Sequence, residues 1–106
     1  MGETLLDLAK RKLRITYEDD ATDKRLEEII ADAEAELSDS LGICDAGFDF
    51  SEAGSERSLL INLVFYEFNQ AADEFWLNYA GKIAQCREKW MVRQYAQESQ
   101  ASTDVQ

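Results

Sequence analysis

The sequence predicts an all-α protein, a small bundle of about four helices. Three observations carry this. Leu26, Ile29, Ile30, Ala33, Leu37 and Leu41 recur at helical spacing and form one apolar stripe. Phe75, Tyr79, Ile83, Cys86 and Trp90 are spaced 4, 4, 3 and 4, a seam of coiled-coil type. Between them, ten of the fourteen residues from Leu59 to Ala72 are apolar, as in a helix buried on several sides.

The first helix is expected over residues 5–13. Thr4, with Asp7 three residues on, resembles a capping box, and Leu5, Leu6, Ala9 and Leu13 give its apolar stripe. Lys10, Arg11 and Lys12 fall in its last turns, where cations suit the helix dipole. Ile15, Thr16 and Tyr17 read as a short extended linker. Glu18, Asp19 and Asp20 then offer N-caps for a second helix over 22–41. Gly42 suits its left-handed ending, with Ile43 making the hydrophobic contact that follows.

Residues 43–54 read as a long acidic loop containing glycine, in which Phe48 and Phe50 alternate with Asp49. Two aromatics there either tuck under the domain or dock on a partner. The third helix is expected from Ser55 or Ser58 to about Ala71. Neighbouring helices packed round it, or a subunit interface, would account for its apolar surface. Asn69, Gln70 and Asp73 mark a turn, and the fourth helix follows from about Asp73 to Tyr95. Gly81 inside it costs up to about 1 kcal/mol against Ala, which a close helix contact would explain. Cys86 and Trp90 belong to the core by periodicity. The helical domain thus spans 1–95, and the polar, aperiodic residues 96–106 read as a flexible tail.

Composition narrows the function. The chain has 106 residues, which suits one domain, with 22 acids, 11 bases and a net charge of −11. That balance argues against a nucleic-acid-binding surface covering most of the protein. The charge is segregated: residues 18–56 hold fourteen acids and two bases, whereas 10–14 and 82–93 are basic. There is no His, which removes the commonest general base and transition-metal ligand. Two Cys, 44 and 86, are too few for a structural zinc site and read as free thiols in a reducing compartment. No secretory leader, myristoylation signal or membrane-spanning run is read. No phosphate loop, dinucleotide fingerprint, nucleophile elbow or CxxC occurs. Asp45, Asp49 and Glu52 share only acidity with a calcium loop. No enzyme activity, cofactor or metal is expected.

The stretch Leu5-Leu6-Asp7-Leu8-Ala9-Lys10-Arg11-Lys12-Leu13-Arg14-Ile15-Thr16 resembles the first helix and "LRIT" exit of the head–tail connector (head-completion adaptor) proteins of long-tailed bacteriophages. Asp19 to Ala33 is similar to that family's second helix, and Leu59–Asn69 and Phe75–Trp90 to its two later helices. The resemblance spans about residues 4–92. The 43–54 link departs from the family's short one, which often carries an Asp-Pro; this chain has no Pro.

The resemblance implies structural work in the virion, at the head–tail junction, with assembly in the host cytoplasm. Such proteins form a ring, commonly of twelve subunits, beneath the portal. The ring extends the DNA channel and docks the next head-completion or tail protein. An acidic lining would let DNA pass without tight binding, since it neutralises no phosphates. Glu27, Glu28, Asp32, Glu34, Glu36 and Asp39 are the candidate lining. Phe48, Phe50, Arg87, Lys89, Met91, Arg93 and Tyr95 are the candidate contacts to the portal or a neighbouring subunit, Arg, Met and aromatics being enriched at interfaces. Two other classes fit the composition: an acidic DNA-mimic inhibitor, and a small helical regulatory module.

Overall fold

A computed structural model describes residues 4–43, 48–52 and 54–105, with 97–105 by backbone alone. Among them are five helices and no strand: α1 (Leu5–Lys12), α2 (Asp20–Leu41), α3 (Ser55–Phe68), α4 (Ala72–Asn78) and α5 (Ala80–Val105).

Local chemistry sets the helix ends. At α1, Thr4 Oγ1 accepts the Asp7 N–H at 3.1 Å and Asp7 Oδ2 accepts the Thr4 N–H at 3.3 Å, a complete capping box. Asp19 caps α2 by accepting from the Thr22 N–H and hydroxyl, at 3.3 and 2.6 Å. Gly42 closes α2 at φ 67°, and the Ile43 N–H reaches Ser38 O at 3.1 Å, the expected Schellman ending. Two more endings of this type use residues that carry a Cβ. Arg14 (φ 60°) ends α1, with Ile15 N–H to Lys10 O at 2.8 Å. Gln70 (φ 59°) ends α3, with Ala71 N–H to Tyr66 O at 2.7 Å. Gly54 precedes α3 at φ 155°, a conformation open essentially to glycine alone.

The central element is α3, which packs against each of the other four helices. This accounts for its near-continuous apolar surface. Leu59, Leu60, Leu63 and Val64 are buried, while Ile61, Phe65, Tyr66 and Phe68 remain half-exposed. The α2 stripe supplies Leu26, Ile30, Ala33, Leu37 and Leu41, and α1 supplies Ala9. Phe75, Cys86 and Trp90 complete the core from α4 and α5. Burying side chains of the size of Leu60 or Trp90 is worth about 1.5–3 kcal/mol each.

The expected fourth helix is two. It breaks at Tyr79, between the weak helix formers Asn78 and Gly81. The break hardly disturbs the seam, because Tyr79 N–H still bonds Phe75 O and Ile83 N–H still bonds Tyr79 O, both at 2.9 Å. Tyr79 stacks on Phe75 at 4.9 Å between centroids and meets Tyr66 edge-on at 6.0 Å. Gly81 has no neighbour within 4 Å of where a Cβ would lie, so no close helix contact explains it. The backbone of α5 stays helical through Val105, so residues 96–105 continue the helix rather than leaving it. No helix among the described residues is long and apolar enough to cross a membrane.

Candidate partner-binding surfaces

The aromatics between α2 and α3 tuck inward. Phe50 is buried, and half-buried Phe48 lies edge-on to Phe50 and Trp90 at 5.0 and 5.2 Å. Asp49 holds this turn by accepting from the Ser51 N–H and hydroxyl at 2.8 and 2.6 Å, which keeps its carboxyl below the usual range. Phe50 is therefore a core residue rather than a docking residue, and Phe48 lends one face to the core. Cys44 lies outside the described residues.

Trp90 sits on a polar knot that joins α3 to α5. Glu56, in the first turn of α3, is buried. It accepts the Trp90 indole N–H at 3.0 Å and the Cys86 thiol at 3.5 Å, and pairs with Lys89 Nζ at 2.6 Å. Burial alone would raise the Glu56 carboxyl, but the Lys89 ammonium and the hydrogen bonds outweigh it and hold it below the ordinary range. Burial and then the Glu56 carboxylate push the Cys86 thiol up. Lys89 thus serves the fold, although half its side chain faces solvent.

Beyond Trp90 the other α5 candidates face water. Arg93 places its guanidinium over the Trp90 ring at 4.9 Å, while Met91, Val92 and Tyr95 are 61%, 65% and 72% exposed. Arg87 is also exposed, on the preceding turn.

The α2 acids divide. Glu27, Glu28, Asp32, Glu36 and Asp39 are exposed, and Glu34 is half-buried, its carboxyl raised by burial and by Asp49. On the adjoining turn of α3, half-buried Glu67 approaches this surface. Burial, then the charge of Glu36 and a hydrogen bond to it, and then Asp32, push the Glu67 carboxyl up to about 7.

Sequence reasoning missed a cationic groove of about 860 Å³ between α1 and α3. Arg11, Lys12, Arg14 and Arg57 line it, over apolar walls that include Ile61 and Phe65, and among the described residues that line it there is no acid. Lys12 Nζ sits over the Phe65 ring at 5.6 Å, and Arg57 Nη1 donates to Ser51 O at 3.3 Å. The α1 cluster was visible in sequence as a helix-dipole feature. Its union with Arg57 depends on how α1 and α3 pack. Arg25 was missed too: it donates to Phe68 O at 3.4 Å and covers the Phe68 ring at 4.6 Å, capping α3 from α2.

Among the described residues no group of His, Cys, Asp and Glu has the arrangement of a metal site. The chain matches no family model, no curated protein and no solved structure.

Proposed function

We propose that this chain is a structural head–tail connector. In this reading it assembles as a ring beneath the portal of a long-tailed phage, extends the DNA channel and docks the next head-completion or tail protein. The observation that carries the reading is the segregation of unlike surfaces on one small helical chain. A ring protomer must meet its two neighbours through different faces. Here a cationic groove lies between α1 and α3, and an apolar face stands free on α5. The outward acids of α2 form a third surface, suited to lining a conduit that repels phosphate. The N-terminal resemblance of residues 5–16 to the connector family supports the same reading.

The test is analytical ultracentrifugation with and without the portal protein of the same phage. The expected result is a monomer at low concentration, where like charge opposes association, and a ring on the portal. A closed dimer in both conditions would sink the reading.

The exposed acids of α2 also favour a second reading, a DNA-mimic inhibitor. That reading requires a tight one-to-one complex with a basic DNA-binding protein and no ring, which the same sedimentation experiment separates.

A further inference from the structure

We propose that the outward face of α5 pairs with the same face of a second copy, antiparallel and about a two-fold axis. The inference goes beyond the ring reading and does not rest on it: the pair is a form of the free chain at high concentration.

The helix has two opposite faces. Ile83, Cys86 and Trp90 pack on the core. Gly81, Ala84, Glu88, Met91 and Tyr95, spaced 3, 4, 3 and 4, are all exposed and lie about 150° round the helix from them. Val92 and Arg87, also exposed, flank this stripe. Among the described residues the exposed large hydrophobic side chains are Tyr17, Leu77, Met91, Val92 and Tyr95. Scattered examples need no explanation, but the last three stand together within five residues.

The other cations of residues 80–96 turn to the chain's own core. Lys82 Nζ lies over the Tyr79 ring at 5.6 Å, Lys89 Nζ pairs with Glu56 at 2.6 Å, and the Arg93 guanidinium covers Trp90 at 4.9 Å. Arg87 and Glu88 are left as the charges beside the apolar stripe.

These residues are complementary to themselves in one direction. Let two α5 helices cross antiparallel with the two-fold axis between Arg87 and Glu88. Each Arg87 then meets Glu88 of the other copy. Met91 comes level with Ala84, each about 5 Å along the helix from the axis, and Tyr95 comes level with Ala80 and Gly81, about 11 Å from it. Large side chains face small ones, and unlike charges face each other. A parallel pair would set Tyr95 on Tyr95, Arg87 on Arg87 and Glu88 on Glu88. The small residues let the helix axes approach to about 8 Å. This also gives Gly81 a role. Within the chain nothing lies within 4 Å of where its Cβ would be, although glycine costs a helix up to about 1 kcal/mol against Ala. The charge pairs fix direction and register, while the apolar contact supplies most of the affinity.

The experiment is sedimentation velocity on the full-length chain alone, from micromolar to millimolar concentration. The wild type should shift from monomer to dimer and no further, because a two-fold contact closes on itself. Gly81→Gln with Ala84→Gln fills the approach. Both positions are exposed, so circular dichroism and the thermal transition should show the fold intact, while association should need at least about tenfold more protein, the equivalent of about 1.4 kcal/mol. Glu88→Arg lowers the net negative charge of the chain, which by itself would favour association, yet it should weaken the dimer by setting Arg beside Arg87. Adding Arg87→Glu to that variant restores the pairs and should restore the dimer. Direction is read in a Cys44→Ser background. Ala84→Cys mixed with Met91→Cys should give disulfide-linked heterodimers under mild oxidation, and Ala84→Cys alone should not cross-link. A wild type that stays monomeric at millimolar concentration would overturn the proposal. So would folded glutamine variants that dimerise like the wild type, a charge-exchanged chain that is not restored, or efficient cross-linking of Ala84→Cys with itself. No portal is present, so any of these failures leaves the ring reading to its own test.

Discussion

Replacing Glu67 with Gln should stabilise the protein at neutral pH and flatten its stability profile. Glu67 lies half-buried on α3 beside Glu36 and Asp32 of α2. Burial first, then these acids, move its carboxyl from 4.5 to about 7. The unfolded chain loses this proton near 4.5, whereas the folded chain keeps it to about 7. Across that window the native state binds more protons, so stability falls as pH rises and levels off above it. Full conversion of the shift sets a ceiling of roughly 3 kcal/mol. Glu67 is partly solvated, and screening reduces the expected effect to about 1–2 kcal/mol. Glutamine keeps the shape and the hydrogen bond to Glu36 without the charge. Thermal unfolding between pH 4 and 8 should show Glu67→Gln overtaking the wild type as pH rises. The gain above pH 7 should be about 4–8 °C per kcal/mol in a domain of this size. Other carboxyls titrate with the opposite sign, including Asp19 and Glu56, whose values are lowered. The informative quantity is therefore the difference between the two curves. Parallel curves would refute the reasoning.

Glu56→Ala should cost about 2–3 kcal/mol in urea unfolding at pH 7, mainly because the buried Trp90 indole N–H loses its acceptor. The Glu56 carboxyl is lowered in the fold, so its contribution is present above 4.5 and is lost as pH falls through the folded value; the difference from wild type should shrink in acid. Gln70→Gly should stabilise by about 0.5–1 kcal/mol, since relief of the left-handed backbone outweighs the greater freedom of unfolded glycine; a lower melting temperature would contradict this. Truncation after Trp90 should cost no more than about 1 kcal/mol in thermal unfolding, because residues 91–96 are all exposed and Arg93 over the Trp90 ring is their contact with the core; a larger loss would mean that the outer half of α5 helps to hold the fold.

Where local rules decide structure, the residues were readable. The Thr4–Asp7 capping box, the α2 stripe and the Gly42–Ile43 ending depend on neighbours within one helical turn or two. The break at Tyr79 was not readable. The spacing of Phe75, Tyr79 and Ile83 continues across it, and periodicity registers only that spacing. The endings at Arg14 and Gln70 lack the glycine that signals them elsewhere. The interior aspect of Phe50 needed the fold, because its alternation with Asp49 fits an outward loop equally well. Glu56 gave no signal at all: its partners Cys86, Lys89 and Trp90 are thirty or more residues away. The groove lay hidden for the same reason, since Arg57 joins the α1 cations only through packing.

The place of Cys86 gives the protein an internal clock for the parting of α5 from α3. Its sulfur is enclosed, with Ser55 Oγ at 3.9 Å and Glu56 Oε2 at 3.5 Å, and its thiol is pushed up by burial and by that carboxylate. Alkylating reagents attack the thiolate, so in the closed state Cys86 is both shielded and the wrong species. In a Cys44→Ser background, the labelling rate therefore measures how often the joint opens. Where reclosing outpaces the reagent, that rate divided by the rate for the unfolded chain is the opening equilibrium constant itself.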